Sequence, residues 1–207
     1  SPDDYVAIAG VGSESFLDAI LRNTDEPTSG MVTPEYPFGG GAYFDVMGFH
    51  SYPDIDGTTR YWEPSISNFV YLRHSDGAAN GIGVRQELYR NVLANYGYDG
   101  VTYPNKEWII TEINAPRKQF KADGMGDPQL QINYMAKAVV NAMKNNVRQM
   151  HIYSIFEEET EANATEEFHL LGLYKNLDFN SPYDNLEINQ QGIAYKSASD
   201  ALFGTRY

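Results

Sequence analysis

The chain predicts an α/β fold in which a parallel sheet packs against helices, and three observations carry that expectation. Short apolar runs rich in β-branched and aromatic residues recur at 5–9, 43–49, 107–113 and 149–156, with the length and composition of strands. Each is followed by a stretch whose apolar residues recur at helical spacing, so the units read strand, helix, strand, helix. The strand runs are apolar on both faces, as a sheet covered by helices requires. No internal repeat or low-complexity segment interrupts them, and residues 1–207 are expected to form one domain.

The first unit begins with the run 5–9, closed by Gly10. Ser13 is an expected N-cap for a helix over Glu14–Arg22, whose Phe16, Leu17, Ile20 and Leu21 should face a core. A long loop rich in Pro, Thr and Gly follows and ends at Gly39, Gly40 and Gly41; such loops are commonly functional. In the second unit the strand 43–49 leads into His50, Ser51, Tyr52 and Pro53, and Ile82, Val84, Leu88, Val92 and Leu93 predict a helix over 80–96. The loop between them holds Tyr61, Trp62, Phe69 and Tyr71.

The third unit pairs Glu107–Ile113 with a helix over 127–145, where Asp127 and Pro128 make a sound helix start. Ile132, Met135, Ala136, Val139, Val140 and Met143 supply its expected buried stripe. The fourth strand is expected at 149–156, and a last helix at 190–203 with Gly204 as its stop.

Composition excludes some functions. A formal charge of −13 opposes nucleic-acid binding, which needs a basic patch. No run reaches the length of a membrane span. There are no cysteines, which fits a secreted or periplasmic bacterial protein without requiring one. The chain has 16 Tyr, 10 Phe and 2 Trp, material for a core first and for a sugar-stacking surface second. The glycosylation triplet at Asn163 and Thr165 is weak evidence, and empty in a bacterium. No His/Cys/carboxylate spacing suggests a metal, and no Gly-rich loop follows a strand in a phosphate-cradling pattern, so no cofactor is expected.

The chemistry concentrates at strand ends. The run from Trp108 through Ile109, Ile110 and Thr111 delivers Glu112 near the end of its strand, and His50 and Tyr52 follow another strand two residues apart. If these strands are neighbours, all three side chains converge at the carboxyl edge of the sheet, where α/β folds place their sites. A tyrosine hydroxyl and an imidazole can hydrogen-bond a carboxylate and hold it ionised, which a nucleophile needs. Read singly, Glu112 fits a structural carboxylate and His50 a loop histidine, while His151 lies mid-strand and reads as structural.

Trp108 to Asn114 resembles the nucleophile-bearing seventh strand of the clan A retaining (β/α)8-barrel glycoside hydrolases, and Phe44 to Pro53 resembles their sixth. On this resemblance 5–9 is the fifth strand, 149–156 the eighth, and the segment from Gly192 to Gly204 the final helix. The fold it implies is a TIM-barrel type of which only the last four βα units, a half-barrel, are present. Glu112 would be the nucleophile, with His50, Tyr52 and Tyr153 binding substrate; apart from the resemblance, Glu157 is a candidate ligand for a sugar hydroxyl and Trp62, in the long loop, for the wall of a distal subsite. Tyr153, with Phe156 as competitor, stands where the family's eighth strand carries a tryptophan.

The family's acid/base glutamate, preceded by asparagine, ends its fourth strand and would lie upstream of Ser1; Glu14 and Glu35 do not match its motif. The chain is also shorter than the ~250 residues of a complete barrel. The resemblance therefore implies a fragment of a larger protein with little activity alone, its open edges covered by a missing N-terminal half or by a second copy of the chain. The implied partner is an oligo- or polysaccharide. The alternatives are a non-catalytic carbohydrate-binding or scaffold half-barrel, and an unrelated α/β domain.

Overall fold

The computed structural model describes residues 4–122, 124–178, 186–202 and 204. It has mixed α/β architecture with a parallel sheet and, among the described residues, four α-helices. The sheet order is β1 (Val46–Ser51), β4 (Glu107–Ile113), β5 (Val147–Ile152), all parallel. Between β1 and β4 in sequence, β2 (Arg60–Glu63) and β3 (Asn68–Tyr71) form an antiparallel hairpin in what the sequence suggested was loop.

The predicted first strand is not a regular one. Its backbone runs parallel to β1 through single bridges, Ala7 to Val46 and Val11 to Phe49. Four residues on one side thus oppose three on the other, and that offset breaks the ladder. The pairing is still real: Ile8 N–H donates to Val46 O at 2.9 Å and Val11 N–H to Gly48 O at 3.1 Å. Gly48 is required here, since a Cβ would lie 2.6 Å from Ile8 O. The spatial order of the four segments therefore follows their order in the chain.

The helices α1 (Glu14–Arg22), α2 (Ser75–Asn95), α3 (Pro128–Lys144) and α4 (Gln190–Leu202) pack in chain order, each against the next. Met47, Phe49, Trp108, Ile110 and Ile113 join Leu17, Tyr89, Tyr134 and Ala138 in one buried core between sheet and helices. Among the described residues no helix covers the other face of the sheet. There Ile109, Thr111 and Glu112 remain half-exposed, a departure from the two-sided burial the sequence suggested. Arg148 of β5 stacks over the Tyr5 ring, 4.7 Å from its centroid.

Helix boundaries and faces differ in detail from the pattern. Ser13 has extended N-cap geometry but makes no capping bond; its hydroxyl lies 2.9 Å from that of Ser15. Leu17 and Leu21 are buried, whereas Phe16 is 63% exposed and Ile20 also faces out; among the described residues α1 packs on α2 and on the short 3-10 turn Gly40–Tyr43, and neither covers that flank. α2 starts at Ser75, capped by His74 Nδ1, and buries Ala78, Ala79, Ile82, Tyr89 and Leu93 while Val84 and Leu88 stay exposed. In α3 the buried stripe is Gln131, Tyr134, Met135, Ala138 and Ala142, with Val140 exposed. Its start is as expected: Asp127 Oδ1 accepts from Leu130 N–H at 2.9 Å, and proline follows. Gly204 takes φ +76°, the left-handed conformation of a helix stop; Phe203 lies outside the described residues.

Candidate active site

A bulge decides where Glu112 points. Trp108 and Ile110 of β4 are buried against the helices, so strict alternation would send the Glu112 carboxylate into the same core. Instead Phe49 pairs with Ile110 and His50 with Glu112, leaving Thr111 without a partner on β1. The extra residue flips the parity: Thr111 and Glu112 both reach the open face, and Ile113 takes the buried position. Thr111 Oγ1 donates to Phe49 O at 3.1 Å, satisfying a carbonyl at the irregularity.

At that edge Tyr52 Oη donates to Glu112 Oε2 at 2.7 Å, and His50 Nδ1 lies 3.4 Å from the same oxygen. Among the described residues Oε1 has no hydrogen-bond partner, and the side chain is 36% exposed. One oxygen is thus anchored and the other is free to meet a substrate. Burial, and then the bond to Glu112, push the Tyr52 hydroxyl far above its usual range, so Tyr52 remains a donor at any physiological pH.

Two further groups hold this pair in place. Gly10 lies against the imidazole so closely that a Cβ there would be 2.0 Å from His50 Nε2. Asp56 Oδ2 accepts the Tyr52 amide at 2.7 Å, and its other oxygen lies 3.4 Å from Arg85 Nη1, both side chains being buried. Burial pushes the Asp56 carboxyl up to about 6, against the pull of Arg85 and the amide.

The strand expected at 149–156 ends at Ile152; beyond it the chain turns through Tyr153, whose peptide bond to Ser154 is cis. Tyr153 comes within 6.3 Å of the Tyr52 ring and 6.0 Å of Phe168, which is 5.2 Å from Tyr52. These edge-to-face rings wall the site beside Glu112. Tyr153 Oη donates to Glu158 Oε1 at 2.6 Å, and that bond is the main reason its hydroxyl is pushed up to about 12. Asn114, fully buried, donates to Tyr153 O and Leu171 O and so ties the end of β5 to the loop carrying Phe168.

The site residues expected from sequence separate into two groups. His50, Tyr52, Glu112 and Tyr153 come together. Glu157 does not join them: Arg117 Nε reaches Oε1 at 2.6 Å and Nη2 reaches Oε2 at 3.1 Å, while Asn189 Nδ2 donates to Oε1 at 3.0 Å. Its side chain is wholly buried, and both carboxylate oxygens are committed to the fold. Trp62 sits on the β2–β3 hairpin, exposed and packed edge-on against Phe69. Gly10, Asp56, Glu158 and Phe168 were not anticipated. A glycine closing the first apolar run was the only local signal for Gly10. Nothing within a few residues of Phe168 relates it to Tyr52, from which it is separated by more than half the chain.

No group of three or more His, Cys, Asp or Glu placed to hold a metal ion occurs among the described residues. No helix there is long and apolar enough to cross a membrane.

No protein-family model matches this chain, and no curated protein matches it. Among solved structures it is similar to the family 17 glycoside hydrolase β-1,3-glucanosyltransferase from Rhizomucor miehei, with TM-score 0.43 and 12% identity over 65% of this chain and 40% of that one. It is likewise similar to Bifidobacterium dentium β-glucuronidase, solved with coumarin-3-O-glucuronide, at TM-score 0.43 and 12% identity over 75% and 21%. The chain thus spans less than half the length of either. Likeness at this level assigns neither residues nor chemistry.

Proposed function

We propose that this chain carries the nucleophile half of a retaining glycoside hydrolase site of the clan A type, with Glu112 as nucleophile. The observation that carries the reading is the Tyr52 hydroxyl anchored on Glu112 Oε2 at 2.7 Å, with His50 against the same oxygen and Oε1 left open. A carboxylate held this way stays oriented while its other oxygen attacks.

In the reaction Oε1 forms a bond to the anomeric carbon as the bond to the leaving oxygen breaks, and a second carboxylic acid protonates that oxygen. Water then attacks the anomeric carbon, gives its proton to the second group, and releases the sugar with Glu112 restored. The two carboxyls must stand about 5–5.5 Å apart. Glu158, held by Tyr153, is a nearby carboxylate, but the motif for the acid/base residue occurs nowhere in the sequence. The reading therefore assigns that residue to a segment that completes the barrel. Among the described residues no further strand pairs with the outer edges of the 5–11 segment and of β5, which supports a partner there, either the N-terminal half-barrel or a second copy.

Covalent trapping tests this directly. A panel of 2-deoxy-2-fluoro glycosides with dinitrophenolate leaving groups needs no acid for the first step. An adduct mapped to Glu112, and lost in Glu112→Gln, is the expected result. A folded sample with the barrel completed that forms no adduct, or forms it elsewhere, would overturn the assignment.

A further inference from the structure

The β2–β3 hairpin carries a face whose composition the glycosidase reading does not explain. The register Arg60 opposite Tyr71 and Trp62 opposite Phe69 puts these four side chains on one side. Arg60 stacks over Phe69 at 4.9 Å, and the next arginine along, Arg73, stacks over Tyr71 at 4.1 Å. Such stacking fixes a guanidinium without using its N–H groups, which stay directed to whatever lies in plane.

Among the described residues no carboxylate lies within ion-pair distance of either guanidinium. Arg22, Arg85, Arg90, Arg117 and Arg148 each lie 2.5–3.6 Å from a carboxylate. Arg60 and Arg73 are the described arginines that do not, in a chain with 28 acidic residues against 15 basic ones. Both, with Tyr71, line one cavity of about 130 Å³. Asp54 and Ile55 form its other wall and also bound the cleft that holds Tyr52 and Phe168. The hairpin thus stands beside the candidate active site, on the loop that follows β1.

We propose that Arg60 and Arg73, with Tyr71 between them, bind the anionic group of an acidic sugar, a uronate or sulfate ester, in a subsite that shares the Asp54–Ile55 wall with the cleft of Tyr52 and Phe168. A guanidinium fork matches carboxylate and sulfate oxygens, and the ring offers a face for the sugar. Asp54 is the one carboxylate lining the cavity; its Oδ1 accepts Met125 N–H and its carboxyl is also hydrogen-bonded to Glu167, so it is committed to the wall and not to the arginines. In a chain of formal charge −13, a pair of arginines without an ion-pair partner among the described residues also biases where an acidic glycan lands.

This inference rests on the sugar-binding reading of the groove, and one titration separates the two. The intact chain is titrated calorimetrically with an oligouronate, a sulfated oligosaccharide and a neutral oligosaccharide of equal length. At least one acidic ligand is expected to bind tenfold or more tightly than the neutral one, and which of them does so identifies the anion. Added salt should weaken the acidic ligand and leave the neutral one unchanged. Arg60→Gln/Arg73→Gln should erase the preference, with the near-ultraviolet signal of Trp62 reporting an intact hairpin, while Glu112→Gln should keep it. Equal binding of acidic and neutral ligands, or a preference insensitive to salt, would overturn the anionic subsite alone. Failure of all three ligands to bind would overturn the subsite and the sugar reading together.

Discussion

Tyr52 at the end of β1 and Glu112 on β4 meet through a 2.7 Å hydrogen bond that spans sixty residues of sequence. The bond sets the polarity of the site: a phenol that stays protonated donates to the carboxylate, which is therefore the acceptor, as the proposed nucleophile role requires. Removing the hydroxyl tests this without disturbing shape. Tyr52→Phe should slow formation of the fluoroglycoside adduct by ~10–100-fold, the kinetic equivalent of a charge-assisted hydrogen bond of ~1.5–3 kcal/mol. Thermal unfolding should change little. An unchanged rate would show that Tyr52 does not position Glu112.

Gly10 should be intolerant of any side chain for a reason specific to His50. A methyl group there would overlap the imidazole, at 2.0 Å from Nε2, and crowd Thr111 Oγ1 at 2.7 Å. The imidazole is the movable partner, so Gly10→Ala is expected to rotate it away from Glu112 while the fold persists. The His50 ring resonances should shift in the NMR spectrum and trapping should slow. Unshifted resonances would mean that the backbone yields instead.

The Arg117–Glu157 pair should behave as scaffold. Arg117→Met strands a fully buried carboxylate and should cost ~3–5 kcal/mol in urea unfolding. Adding Glu157→Gln should recover a large part of that loss, since the amide needs no counter-charge. If Glu157 instead bound substrate, Glu157→Gln alone would weaken ligand binding with stability unchanged.

Asp56 gives stability a pH dependence of known sign. Its folded carboxyl titrates at about 6, above the usual 3.8, so between those values the folded state holds a proton that the unfolded state has lost. Stability from this group is therefore fully present below pH ~4, falls as pH rises through ~6, and is lower by about 3 kcal/mol above that. Urea unfolding of wild type and Asp56→Asn at pH ~4.5 and ~7.5 isolates the contribution as the difference between their pH slopes. Parallel slopes would show that Asp56 is not the group responsible.

Local chemistry made much of the fold legible. Apolar runs bounded by Gly and Pro marked the strands at β1 and β4, and Asp127–Pro128 and Gly204 marked a helix start and a helix stop. Those signals lie within a few residues of what they specify. The hairpin of β2 and β3 was missed because its strands are four residues each and exposed, so no core imposes a period on them. The open face of the sheet was missed because apolar runs read as two-sided burial whether or not a second layer is present. Helix faces went astray where a neighbour was lacking, as on the Phe16 flank of α1.

The site divides along the same line. The sequence by itself determined that a carboxylate, an imidazole and a phenol stand near the ends of apolar strands, and parallel pairing brings those ends to one edge. Only the tertiary structure decided which way Glu112 faces. By alternation from Trp108 and Ile110 it belongs in the core, and the unpaired Thr111 turns it to the open face. It likewise withdrew Glu157 into an ion pair with Arg117, forty residues away. Register and long-range pairing depend on the summed packing of both strands and the helices behind them, so no single stretch of sequence encodes them.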